Sequence, residues 1–324
     1  MDTLIGYHAS HEQFAPGDLL RHLQHAEQAG FRAGMCSDHL LPWSDRQREG
    51  VGFAYAWLGA ALQATSLPLG VVSAPGQRYH PVILAQAAAT LAAMFPGRFW
   101  LAVGTGEYLN EHVTGEQWPS KPGRQARLAE CVEVMRALWR GETVDHHGRI
   151  TVRNARVHTT AEQPPALLAA AVTPATARWA GGWADGLITV NQPLDKLRDV
   201  VTAFREGGGA DRPVRLQAHL SWARTPQEAR DAAFDQWRNA ALGYPLAWDL
   251  ELPEQVDAAL VTARPEDLAD AVAIGDDPGW HADRIAAYAG LGFDQILLHN
   301  VGRNQEEFLD VFGEKVLPRL GGLR

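Results

Sequence analysis

Short apolar runs of strand length alternate with amphipathic stretches of helix length along this chain, and that rhythm restricts its folds more than any other property. Strand-like runs occur at Leu4–Tyr7, Phe31–Cys36, Leu69–Ser73, Phe99–Val103, Ala166–Ala171, Leu187–Val190, Val214–Ser221 and Gln295–His299. Nearly all are followed by helix-like stretches. One runs through Ala29 after the Pro16-Gly17 turn, then come Pro81–Met94, Arg124–Trp139, Pro174–Gly181, Leu194–Arg205, a helix from Gln227, and Gln305–Leu317. Eight such units predict an α/β fold, a (β/α)8 TIM barrel rather than a six-strand doubly wound sheet. Two stretches exceed an ordinary βα loop: His146–His158, which alternates as a small hairpin would, and Trp248–Ile274, which carries Pro253 and Pro265. In a barrel such insertions crown the C-terminal face, where active sites are built. With no linker, repeat or low-complexity tract, residues 1–324 read as one domain.

Charge narrows the partners. A net charge of −9 argues against nucleic acid and anionic membrane, because a polyanion binder carries a basic surplus. No segment reaches the roughly 20 apolar residues of a membrane span, and the first residues lack a basic leader, so a soluble cytoplasmic protein is expected. Cys36 and Cys131 lie in apolar stretches without CxxC spacing and read as buried free thiols. Only Lys121, Lys196 and Lys315 are lysines, leaving 29 − 3 = 26 arginines.

Three segments that follow strands could carry chemistry. In Ser37–Trp43, Asp38-His39 places an imidazole suited to proton transfer at a barrel mouth, with Trp43 able to wall a ring-shaped ligand. In Gly104–Glu111, the glycines let backbone approach a ligand, while Glu107 has the place of a general acid if burial raises its pKa. The dinucleotide fingerprint G-x-G-x-x-G fails there, since Leu109 stands at the third glycine. Val71–Pro81 sets small residues beside Pro75. Taken singly, each segment also fits an ordinary turn. The pairs His22/His25 and His146-His147, the latter in a turn, lack a third ligand at metal spacing, so no metal site is expected. Trp179 and Trp183 read as packing.

Taken together, five strings in order resemble the bacterial luciferase-like superfamily, in its branch of F420-dependent glucose-6-phosphate dehydrogenases. They are Ser37–Trp43, Gln77–Gln86, Phe95–Arg98, Gly104–Glu111 and Phe308–Pro318. The resemblance implies a usually dimeric TIM barrel, hence a homodimer, with a flavin or deazaflavin ring in the C-terminal mouth. It implies that Asp38, Ser73 and Ala74 flank that ring and that Thr105, Gly106 and Asn110 hold the cofactor. Ala170, Ala171, Val172 and Thr173 would cradle its phosphate. By the same resemblance His39 takes the substrate hydroxyl proton, Trp43 positions or stabilises the intermediate, and Glu107 supplies a proton at the reduced ring.

The strings His8–Gln13, Val72–Gln77 and Leu298–Gln305 are similar to a sub-branch regarded as FMN-dependent, so FMN is favoured over F420. The family's sugar-phosphate dehydrogenases hold phosphate with two lysines and an arginine from later barrel loops. Here no lysine lies between Lys196 and Lys315, which argues against glucose 6-phosphate. The leading expectation is hydride transfer between the cofactor and a small hydroxyl or carbonyl substrate. The alternatives are a monooxygenase fed reduced FMN by a separate flavin reductase, and a non-catalytic flavin-binding relative.

Overall fold

The computed structural model describes residues 3–47, 50–243 and 246–321; the outermost residues of the expected 1–324 domain, 1–2 and 322–324, lie outside them. The described residues form eleven strands: β1 (Leu4–Ala9), β2 (Ala33–Cys36), β3 (Leu69–Ser73), β4 (Phe99–Val103), β5 (Val144–His147), β6 (Thr151–Ala155), β7 (Ala166–Ala170), β8 (Gly186–Val190), β9 (Val214–Trp222), β10 (Ala273–Gly275) and β11 (Gln295–Asn300). Eight of them close a parallel barrel in the order β1-β2-β3-β4-β7-β8-β9-β11, with β11 returning to β1. These are the eight strands expected, and the fold is the (β/α)8 TIM barrel. The register pairs Ala9 with Cys36 and Ser73 with Val103, so the C-terminal strand ends meet at one rim.

Side chains alternate between two cores. Ile5, Leu69, Leu101, Leu167, Leu187, Leu216 and Leu298 pack outward under the helices. Ala33, Met35, Trp100, Ala102, Leu168, Ile188 and Leu297 fill the barrel interior. Trp100 takes its space from the neighbouring strand: a Cβ added to Gly70 would lie 1.9 Å from the indole. The Arg215 guanidinium stacks 4.2 Å from the same ring.

Several details differ from expectation. A helix at Ala54–Ala64 links β2 and β3; with Trp57, Leu58, Ala61 and Leu62 buried and few polar residues, it has little amphipathic signal. The helix expected from Arg124 begins at Lys121, where Ser120 Oγ accepts from Gly123 N and Pro122 fits the first turn. The helix expected to reach Leu317 is regular only over Gln305–Val311 and continues in wider and tighter turns. His146 and His147 lie in β5, not in a turn; β5 and β6 form the hairpin expected of that stretch, braced by His146 Nε2 2.9 Å from Glu130. The insertion before β11 contains the short strand β10, which pairs with the end of β9. Cys36 and Cys131 are buried and free, and Trp179 and Trp183 pack edge to face.

Candidate active site

The rim formed by the C-terminal strand ends gathers most of the buried charge of the barrel. β1 delivers the loop Ser10–Gln13, buried throughout. Glu12 Oε2 accepts hydrogen bonds from Ser10 Oγ at 3.0 Å and from Ser37 Oγ beyond β2. Its other oxygen lies 3.4 Å from Nε2 of His39. Burial pushes the Glu12 carboxyl up, but His39, His8 and the Ser37 hydroxyl outweigh it and hold the group below the usual carboxylate range.

His39 is shared by two carboxylates. Glu107, just past β4, lies 3.8 Å from the same Nε2. Burial raises the Glu107 pKa despite His39, and nearby Glu12 adds to the rise. One carboxyl of the pair is thus favoured as an anion and the other as an acid, an arrangement that suits proton transfer. Trp43 lies with its ring 5.3 Å from the imidazole and packs against the cluster of Ala233, Trp237 and Val301. The three residues expected to be catalytic are therefore brought together.

A second network lies beside them. Asp38 accepts from Ser73 Oγ at 2.6 Å and from the Tyr79 hydroxyl at 2.9 Å, and pairs with Arg78 at 3.2 Å. The Tyr55 hydroxyl lies 2.9 Å from Ser73 Oγ, and Glu111 accepts from Arg78 N at 2.8 Å. Burial raises the Glu111 pKa against the pull of Arg78. Asp38 and Ser73, both expected beside the ring, are hydrogen-bonded to each other; Arg78 and Tyr79 lie in the Val71–Pro81 segment but had no role assigned, and Tyr55 had no signal in the sequence.

The ends of β3, β4 and β7 bring small groups together, with Glu111 packed against Gly106. Gly106 has φ +79°, and a Cβ there would crowd Ala74 at 3.2 Å; one on Gly104 would meet Ala170 at 3.6 Å. The ends of β3, β4 and β7 thus come close, with Thr105 and Ala74 lining one shallow cavity. Ala171 N bonds Ile188 O, and Val172 O accepts from Gln192. Thr173 caps the helix Pro174–Gly181 through Thr176 N. Residues 170–173 therefore run from the end of β7 into a helix N-terminus, which suits a phosphate.

Beneath the rim, β1, β9 and β11 contribute a group of imidazoles that sequence reasoning missed. His8 and His299 rings lie 4.5 Å apart, and His219 lies 5.2 Å from His299. Burial drives His8 down to about 3 and His219 to about 4, so all three are neutral rings near pH 7. Both ring nitrogens of His8 are buried without a hydrogen-bond partner. The mouth thus sets Trp43 and His39 beside small residues, Ala74, Gly104, Gly106 and Ala170, a lining that suits a flat heteroaromatic ring. No group of three metal-ligating side chains occurs among the described residues, and no helix among them is long and apolar enough to cross a membrane.

Comparison with known proteins gives the family. The family described as luciferase-like monooxygenase matches residues 3–295. The F420-dependent glucose-6-phosphate dehydrogenase of Beutenbergia cavernae is 37% identical over 331 aligned positions, covering 98% of this chain and 97% of that protein. The protein of the same name from Microbacterium testaceum is 35% identical, with the same coverage. The structure of an F420-dependent secondary alcohol dehydrogenase in complex with an F420-acetone adduct matches with TM-score 0.91 at 30% identity, over 99% of both chains. This chain belongs to the luciferase-like family.

Proposed function

We propose that this luciferase-like barrel binds a flavin-type ring in its mouth and transfers a hydride between that ring and a small hydroxyl or carbonyl compound. Family membership and the named relatives support the class, a flavin- or F420-dependent oxidoreductase. The observation that carries the reaction is His39, held by its Nε2 between Glu12 at 3.4 Å and Glu107 at 3.8 Å, beside Trp43.

When bound, the ring supplies the acceptor or donor of the hydride. The chain supplies the rest. His39 takes the proton of a substrate hydroxyl, and the Glu12 carboxylate stabilises the imidazolium so formed. Glu107, favoured as an acid by burial, holds a proton for the ring edge. Trp43 closes the mouth over the substrate and excludes water. Asp38, Ser73, Ala74, Thr105, Gly106 and Ala170–Thr173 would hold the cofactor.

The named relatives support F420 as the ring, whereas the strings His8–Gln13, Val72–Gln77 and Leu298–Gln305 support FMN; the chemistry at His39 is common to both. A small secondary alcohol or ketone is favoured over glucose 6-phosphate. Lys196 stands exposed on the helix Leu194–Phe204, and no lysine lies between it and Lys315. The proposal includes a cytoplasmic homodimer. Absorbance and mass of the small molecule that copurifies test the reading, with FMN or F420 as the expected result. A chain that binds neither overturns it. Turnover requiring oxygen and reduced FMN would support the monooxygenase reading instead.

A further inference from the structure

We propose that Arg78 is a positioning residue: it ties the strand end that carries His39 to the helix beside Glu107, and so fixes how the two groups face each other. This role rests on the reading of His39 and Glu107 as the groups that move protons.

Asp38 immediately precedes His39, and three side chains from β3 and the loop after it grip that residue. Ser73 Oγ donates to Oδ2 at 2.6 Å, and the Tyr79 hydroxyl donates to Oδ1 at 2.9 Å. Arg78 holds more than the carboxyl. Its Nη2 lies 3.2 Å from Oδ1 and donates at 2.9 Å to the Asp38 carbonyl, the oxygen of the peptide bond that leads into His39. A residue held by side chain and main chain together cannot turn about its backbone. The direction in which the chain enters His39 is therefore fixed as well.

The other edge of Arg78 faces the short helix Tyr108–Glu111, which Glu107 precedes. The backbone N–H of Arg78 donates to Glu111 Oε2 at 2.8 Å, and its Nε lies 3.7 Å from Oε1. Asn110 on the same helix sets Nδ2 3.2 Å from His39 Nδ1 and 3.4 Å from Glu107 Oε2. One arginine thus joins β2, β3 and this helix where His39 Nε2 and Glu107 Oε2 stand 3.8 Å apart.

The place suits a guanidinium. The side chain is 12% exposed, with Cζ 4.4 Å from the centre of the Tyr79 ring. Burial pulls its pKa down, but Asp38, with Tyr79 and Glu111, outweighs burial and holds it above the usual range. The planar fork reaches two acidic side chains from one fixed plane, which the compact ammonium of a lysine does not. A buried ion pair often adds little net stability over apolar side chains of the same volume. What this one supplies is geometry.

Proton NMR of the cofactor-free protein reads the placement of His39 without turnover, its Cε1–H signal being the one lost in His39→Asn. Arg78→Lys keeps the charge and removes the fork. It is expected to move or split the His39 signal, while those of buried His8, His219 and His299 stay. With the ring bound, kcat for a small secondary alcohol falls roughly tenfold or more, since a misplacement of about 1 Å costs up to about 100-fold. KM stays within about threefold. Arg78→Ala shows a deeper loss, which added guanidinium far below denaturing concentration partly restores and sodium chloride does not. If Arg78→Ala does not fold, Arg78→Lys alone decides. A His39 signal or a kcat unmoved in Arg78→Lys overturns the proposal, as does salt restoring Arg78→Ala as well as guanidinium. Failure of the hydride-transfer reading would appear instead as a wild type that never turns over, with the His39 signal still answering to Arg78.

Discussion

Replacing Glu12 by Gln removes one charge from the mouth while keeping its volume, so the effect isolates electrostatics from packing. The carboxylate is buried, accepts two serine hydroxyls and lies 3.4 Å from His39 Nε2. At that distance and an effective dielectric of about 20, its attraction for an imidazolium is about 5 kcal/mol, a ceiling. Glu107 still faces the same nitrogen at 3.8 Å. Taking roughly half the ceiling as lost, about 2.5 kcal/mol, gives about a 70-fold fall in kcat/KM for oxidation of a small secondary alcohol. Cofactor affinity serves as the control. The stability change has a definite pH dependence. A carboxyl held below its unfolded pKa stabilises the fold above that unfolded value, and the contribution is lost as pH falls through the folded one. Glu12→Gln should therefore lower Tm most near neutrality and least in acid. A variant whose kcat/KM stays within about threefold of wild type would refute the reasoning.

Glu107→Gln should behave oppositely in stability. Its raised pKa makes ionisation costly in the fold, so the stability it lends below its unfolded pKa is lost as pH rises through the folded one. The amide should raise Tm near neutrality, with no gain in acid, while kcat falls roughly 100-fold for want of a proton donor. Arg215→Met should stabilise the barrel by about 1–2 kcal/mol in chemical denaturation. Burial lowers that guanidinium to about 10, and its Nε and Nη1 have no hydrogen-bond partner; an unchanged or earlier midpoint would contradict this. Gly70→Ala drives a methyl into Trp100 and should cost about 3 kcal/mol, read as an earlier denaturation midpoint.

Legibility from sequence followed burial. Leu69–Ser73 and Phe99–Val103 were readable to the residue because strands covered on both faces show as bounded apolar runs. The helix Ala54–Ala64 escaped for the same reason, its apolar residues leaving no polar face to give a period. At the site, Asp38-His39 and Gly104–Glu107 were visible because strand-end position and residue type coincide. Glu12 lay in the string His8–Gln13 but had no role assigned; the run of titratable residues His8, His11 and Glu12 at the end of the first strand could have marked it. Arg78 and Tyr79 meet Asp38, and Tyr55 meets Ser73, through tertiary contacts that no spacing encodes. Asn110 was singled out by resemblance as a cofactor ligand, and the structure adds the contacts of its amide with the backbone of Leu40 and Leu41.

The central claim is hydride transfer at a mouth where His39 handles the proton, and anaerobic ring reduction tests it most directly. The protein loaded with FMN or F420 is mixed with a small secondary alcohol, unlabelled or deuterated at the carbinol carbon. Ring absorbance is followed in wild type and His39→Asn. The account predicts bleaching without oxygen, slowed by the deuterium and slowed again by loss of His39. Neither ring bleaching across a set of secondary alcohols, or bleaching indifferent to both changes, would contradict it.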